Sequence, residues 1–306
     1  MTGTQNNSGD AGPTASFRDR IAACVTARRA LLVPGAANAI SARIIADLQF
    51  EAVYVTGAGV TNMYLGLPDM GVLSLSQLAD HTAAIRDAVA LPIIVDADTG
   101  FGNALNVHHT IRVLQRAGAN AIQLEDQVSP KRCGHFAGKE VIAVREMVGK
   151  IHAAVDARTS ADLLIIARTD ARAVDGFQAA VDRASAYIEA GADIMFVEAP
   201  ESLDEMRRIP TLLAAPQLVN MVVGGKTPIV DASDLSAMGF AIVLYANAAL
   251  QGAILGMQNA LRELKERGRL DESSAALVSF AERQRLVRKP LCNEMERKYA
   301  REDKGK

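Results

Sequence analysis

Between residues 31 and 245 the chain repeats one pattern. A short apolar run rich in Val, Ile and Leu is followed by a longer segment whose apolar positions recur at helical spacing. The short runs fall at residues 31–34, 52–56, 93–98, 121–125, 164–169, 194–198, 218–221 and 241–245. Helical patterns at residues 74–90, 105–117, 140–158, 177–190 and 202–213 separate many of them, and residues 17–29 predict a helix ahead of the first. Strands alternating with helices imply parallel pairing through right-handed crossovers. Eight such units predict a (β/α)8 TIM barrel in preference to an open sheet. A weak internal repeat agrees: AGANAIQLE at 117–125 lines up with AGADIMFVE at 190–198, each a glycine helix stop, a strand and a terminal glutamate.

In a barrel the C-terminal ends of all strands share one mouth, where the active sites of this architecture lie. The prediction therefore gathers Asp96, Asp98, Glu125, Arg168, Asp170, Glu198 and Asn220 in one place. Residues 1–16, polar and Gly/Ser-rich, read as a disordered tail without the basic and apolar regions of a signal peptide. Residues 17–268 form the expected barrel domain, closed by a long helix at 248–266. Residues 269–306 continue as charged helical segments, kinked or broken at Pro290. Leu286, Val287, Leu291, Cys292 and Met295 give that extension an apolar stripe, which suits packing on a neighbouring subunit.

Composition narrows the class. Hydrophobic residues make up 49% of the 306, enough for a large core, and aromatics only 4%, so Ala, Val, Ile and Leu must fill it. A net charge of −2 gives no electrostatic case for nucleic acid or an anionic membrane. No apolar run approaches the roughly 20 residues that span a bilayer. Three widely spaced cysteines, Cys24, Cys133 and Cys292, point to a reducing cytoplasm and not to a disulfide framework. Cys24 and Cys292 read as structural.

Two phosphate-loop look-alikes fail on detail. Gly57-Ala58-Gly59-Val60-Thr61-Asn62 follows a strand, but Asn62 stands where a dinucleotide-binding loop needs its third glycine. Gly225-Lys226-Thr227 would need a glycine at Asn220 to be a P-loop. The carboxylates offer more. Asp96 and Asp98 occupy alternate positions of a strand end and therefore face one side, and Glu125 ends the next strand. Either they are strand-end caps, or they are hard oxygen ligands suited to Mg²⁺ or Mn²⁺ and not to zinc. The adjacent His108 and His109 diverge on a helix and read as surface residues. His135 and Cys133 share a glycine-hinged loop with Lys131 and Arg132, where nearby cations favour a thiolate; a surface thiol is the alternative. Arg168 at the end of an apolar strand requires an anionic partner, either Glu198 or a substrate carboxylate.

The motifs DADTGFGNALNV, IQLEDQ and KRCGH resemble those of the isocitrate lyase/phosphoenolpyruvate mutase superfamily, and the resemblance runs from PGAANAISARI to GGKTP. It is strongest to the short bacterial lyases. It implies a Mg²⁺-dependent barrel, assembled as a homotetramer with C-terminal helices exchanged between subunits. It also implies cleavage of a 2-methylisocitrate or alkylmalate type of 2-hydroxy acid to a 2-oxo acid and a carboxylate. By the same resemblance Asp98 is the direct metal ligand, with Asp96 and Glu125 holding metal-bound waters. Tyr54, Thr56, Gly57 and Ala58 form a substrate-carboxylate cradle, and Asp69 is an acid in the following loop. Lys131, Cys133, Gly134 and His135 form the catalytic loop with Cys133 as general acid, and Arg168, Glu198 and Asn220 line the far side. Val223 replaces a glutamate common in the malate-type lyases, and Ala246 stands where many relatives have proline. Oxaloacetate decarboxylation or hydrolysis, phosphonomutase chemistry and a non-catalytic carboxylate-binding barrel are the other implied readings.

Overall fold

A computed structural model describes residues 15–132, 134 and 138–300. Its eight strands are β1 (Leu31–Ala36), β2 (Val53–Val55), β3 (Ile93–Asp96), β4 (Ala121–Glu125), β5 (Leu164–Thr169), β6 (Ile194–Val197), β7 (Gln217–Asn220) and β8 (Phe240–Tyr245). All pair in parallel and in sequence order, and β1 pairs with both β2 and β8, which closes the barrel. The (β/α)8 fold read from the apolar pattern is the fold observed.

Period-two alternation divides the core into two shells. Inward-facing Leu31, Val33, Tyr54, Ile94, Ile166, Phe196 and Leu218 fill the barrel. Outward-facing Val53, Val55, Ile93, Val95, Ile165 and Met195 pack under the surrounding helices. The Phe17–Ala27 helix joins the inner shell through Phe17, Ile21 and Cys24, plugging the barrel's lower end. Ser16 opens that helix with a capping box shared with Asp19, so this residue of the predicted tail belongs to the plug; residues 1–14 lie outside the described residues. Arg18 and Arg158 both bind Asp193, at 2.8 and 2.9 Å, and fasten the plug to the turn before β6.

Short helices such as Gly57–Val60, Arg172–Asp175 and Ala232–Met238 were not singled out by the periodicity, being too short to show an apolar repeat. Beyond β8 run the helices Ala248–Arg267, Phe280–Leu286 and Lys289–Tyr299. The break between the last two falls at Arg288, in the left-handed region at φ 56°, while Pro290 sits in the first turn of the next helix. Proline is tolerated there because the first-turn N–H has no intrahelical acceptor. The break therefore lies just ahead of Pro290, close to where the sequence placed it. Cys24 is buried as a structural residue should be, and Cys292 is exposed on the single chain.

The seam of the barrel supplies a stability prediction. At Gly35, next to the β1–β8 junction, an added β-carbon would lie 1.9 Å from the carbonyl oxygen of Ala246. Gly35→Ala should therefore destabilise the fold by about 1–3 kcal/mol, since backbone must move. Gly149, within the Val144–Ala157 helix, has open space around it. Gly149→Ala should instead stabilise by roughly 0.5–1 kcal/mol. Denaturant unfolding of the two variants checks the opposite signs.

Candidate active site

Polarity rises along each strand toward the mouth. On β3, β4, β5 and β6 the inward positions run from Ile94, Ala121, Ile166 and Phe196 to Asp96, Glu125, Arg168 and Glu198. Register places Glu125 beside Arg168, and Arg168 beside Phe196, whose ring lies 5.4 Å below the guanidinium. All of these charged residues are buried.

Asp96 and Asp98 meet by a different route from strand alternation. β3 ends at Asp96, and Asp98 turns back in the left-handed region at φ 48°. Its N–H donates to Asp96 Oδ1 at 3.2 Å. A β-carbon on Gly57 would lie 3.3 Å from Asp98 Oδ1 and 3.4 Å from Asp96 Oδ2, so both carboxylates face the backbone that follows β2. Thr56 caps the short Gly57–Val60 helix by accepting from Gly59 N–H at 3.2 Å, and its hydroxyl is 3.4 Å from Asn247 Oδ1. Beneath them, Tyr54 donates to Gln123 Oε1 at 3.0 Å, and Gln123 Nε2 donates to Asp96 Oδ1 at 3.2 Å.

Cations bind this rim at two points. Lys131 Nζ lies 2.5 Å from Asp69 and 3.0 Å from Asp98. Arg168 binds Asp170 through Nε and Nη2 at 2.9 and 3.0 Å and reaches Glu125 at 3.1 Å and Glu198 at 3.8 Å. Burial alone would lower both cations; Asp98, Glu125 and Asp69 around Lys131, and Asp170, Glu125 and Glu198 around Arg168, raise them well above their ordinary values. Burial pushes the Asp98 carboxyl up to about 7 against the pull of Lys131, and raises Glu125 well above its usual range against Arg168.

The donor set fits a hard divalent cation. Carboxylates crowd the mouth (Asp69, Asp96, Asp98, Glu125, Asp170, Glu198), and Lys131, Lys139 and Arg168 are among the cations that meet them. Asp98 Oδ1 and both Glu125 oxygens are buried without a hydrogen bond; their ion pairs are close but poorly angled. Buried carboxylate oxygens left so are expensive unless a cation or water serves them. No group of three or more His, Cys, Asp or Glu side chains converges on one point among the described residues. Mg²⁺ retains several waters and takes only one or two direct carboxylates, so it does not require such a group.

The family profile described as phosphoenolpyruvate phosphomutase matches residues 22–265. The chain belongs to the phosphoenolpyruvate mutase/isocitrate lyase superfamily. It is 43% identical over 280 residues to 2,3-dimethylmalate lyase of Eubacterium barkeri, covering 90% of this chain and 96% of that one. It is 47% identical over 241 residues to 2-methylisocitrate lyase of Aeropyrum pernix, covering 79% and 77%. Among solved structures, oxaloacetate acetylhydrolase with 3,3-difluorooxalacetate superposes with a TM-score of 0.88 at 29% identity, covering 94% and 97%. Phosphonopyruvate hydrolase with oxalate and Mg²⁺ superposes at 0.82 with 30% identity, covering 93% and 99%.

Within this superfamily barrel the structure brings Asp96, Asp98, Glu125, Lys131, Arg168 and Glu198 together at one mouth, with Gly57 and Gly134 against them. Asn220 ends β7 with its Oδ1 buried and without a hydrogen-bond partner. Tyr54 is directed to Gln123 in the barrel interior, below the rim. Ala58 is half-buried on the Gly57–Val60 helix. Val223 is exposed on the loop after β7, and His108 and His109 are exposed. Cys133 and His135 lie outside the described residues.

Several supporting residues were missed by the sequence reading. Gln123 was legible as the one polar side chain inside an apolar strand. Asp126 was not, because its side chain faces outward, away from the mouth. It is fully buried and accepts from Thr169 Oγ1 at 2.7 Å, Tyr187 OH at 2.8 Å and Asp170 N–H at 2.9 Å. It thereby fixes the strand end that carries Arg168 and Asp170. Asp126→Asn turns one acceptor oxygen into a donor facing donors. It should destabilise the fold by about 2–3 kcal/mol, measured by denaturant unfolding.

Proposed function

We propose that the protein is a Mg²⁺-dependent carbon–carbon lyase acting on a substituted 2-hydroxy di- or tricarboxylate of the 2-methylisocitrate or alkylmalate type. The products are a 2-oxo acid and a carboxylate. The observation that carries this reading is the pairing, at one barrel mouth, of a buried guanidinium with buried carboxylate oxygens that lack hydrogen bonds. The relatives' names point the same way.

Asp98 would hold the metal directly, and Asp96 and Glu125 through water, with Gln123 fixing Asp96. When bound, Mg²⁺ supplies Lewis-acid charge for the substrate's hydroxyl and carboxylate oxygens. The backbone of Gly57 and Ala58, opened by the Thr56 cap, receives that carboxylate. The hydroxyl gives up its proton to a carboxylate of the mouth, the carbon–carbon bond breaks, and its electron pair leaves with the carboxylate fragment. Arg168 stabilises the developing oxyanion from a water-poor site. The thiol of Cys133 protonates the departing carbanion as general acid, with Lys131 and His135 in the same loop. Cytoplasmic location follows from the same need for a reduced thiol.

Oxaloacetate hydrolysis or decarboxylation is the second reading, favoured by the likeness to oxaloacetate acetylhydrolase. Cys133→Ser separates lyase cleavage from decarboxylation. Cleavage of a 2-hydroxy acid should lose about 10²–10⁴-fold in kcat with little change in KM. Decarboxylation of oxaloacetate needs no proton donor before CO₂ leaves and should fall far less. Unchanged cleavage in the variant would remove Cys133 from the mechanism.

The metal reading has its own test. Turnover should stop in excess chelator and return with Mg²⁺ or Mn²⁺, and Asp98→Ala should bind Mg²⁺ at least roughly tenfold more weakly by calorimetry. Full turnover in chelator contradicts it.

Residues 269–306 act in assembly. Leu291, Met295 and Tyr299 are exposed on the last helix, and an apolar cavity of 480 Å³ lies between the Ala39–Asp47 and Ala248–Arg267 helices. A neighbouring subunit in a homotetramer covers these surfaces. Truncation after Gly268 should yield smaller species by light scattering; an intact tetramer would contradict the assignment.

A further inference from the structure

The loop after β4 begins and ends on a buried lysine. At its start Lys131 binds Asp69 and Asp98. Gln127 then fastens the backbone of Arg132 from both sides, donating to its carbonyl at 2.8 Å and accepting from its N–H at 2.9 Å. Val128 N–H donates to the Glu140 carbonyl at 2.9 Å, and Gln127 bridges Val141. Lys139 is the last residue before this closed base.

The side chain of Lys139 is only 2% exposed and that of Asp170 is fully buried. Lys139 Nζ donates to Asp170 Oδ1 at 2.7 Å and to the carbonyl of Gly134 at 2.5 Å. The same Asp170 oxygen accepts from Arg168 Nη2, and Asp170 Oδ2 accepts from Arg168 Nε. A β-carbon on Gly134 would lie 2.3 Å from Glu198 Oε1 and 2.5 Å from Arg168 Nη2, so the loop backbone rests flush on the arginine. One ammonium thus joins the loop to the carboxylate that sets the plane of the guanidinium.

We propose that Lys139 is a positioning residue that seats the Gly134 backbone over Arg168 and, through Asp170, aligns Arg168 for the reaction. A lysine suits the task, because its flexible stem brings a compact charge with three donors to two acceptors on different elements. The activity consequence rests on the lyase reading; the structural consequence does not.

The test compares wild type with Lys139→Met and Lys139→Arg, in the absence of substrate and in turnover. Amide hydrogen exchange in peptides spanning residues 131–139 should quicken about tenfold in Lys139→Met, with peptides from β1 and β8 unchanged. With the best 2-hydroxy acid substrate, kcat should fall about 100-fold while KM changes much less, as expected when a reacting group is misplaced. Lys139→Arg, which keeps the charge but not the compact shape, should recover part of both. Exchange equal to wild type in residues 131–139, or quickened equally throughout the barrel, overturns the proposal, as does an unchanged kcat. If Lys139→Met does not fold, Lys139→Gln keeps a donor for Gly134 without a charge for Asp170 and carries the same comparison. If wild type turns over no 2-hydroxy acid, the lyase reading fails while the exchange result still decides this one.

Discussion

The mouth of the barrel depends on one constraint: charges removed from water must be matched by other charges there. Arg168 sits over the ring of Phe196 with its guanidinium buried, and only the carboxylates of Asp170, Glu125 and Glu198 make that position tenable. Burial, against the pull of Lys131 and Arg168, is why Asp98 and Glu125 hold their protons more tightly than usual. A polar rim so arranged is poorly matched within the chain. A divalent cation bound there would offset part of its carboxylate charge.

The scaffold beneath keeps those charges from relaxing. Strand pairing sets the register of Glu125 with Arg168, so neither can slide without turning its whole strand's inner face outward. Below the rim, Tyr54 and Gln123 hold Asp96; behind it, Asp126 holds the end of β5. These layers convert an apolar barrel into a support for a site that would be unstable on a loop alone.

Much of this was legible in the chain. Inward apolar positions leading to a terminal acid or base, repeated from strand to strand, announced both the barrel and its mouth. What escaped was whatever depends on three-dimensional partners. Asp98 was expected to extend β3, but it turns back through a left-handed residue, a geometry no alternation rule foresees for a non-glycine. Asp126 was not singled out, because strand alternation sends it to the face opposite Glu125 and its partners lie on other elements. Lys139 carried no pattern, since its importance lies in two acceptors from different elements.

The central claim is that this mouth cleaves a carbon–carbon bond beside a 2-hydroxy acid. A coupled assay of 2-oxo acid release tests it most directly, with Mg²⁺ present, across 2,3-dimethylmalate, 2-methylisocitrate, isocitrate, malate and oxaloacetate. The account predicts that at least one alkyl-substituted 2-hydroxy acid yields a 2-oxo acid and a carboxylate in equal amounts, without CO₂. Release of no 2-oxo acid from any of the 2-hydroxy acids, or turnover of oxaloacetate alone, would contradict it.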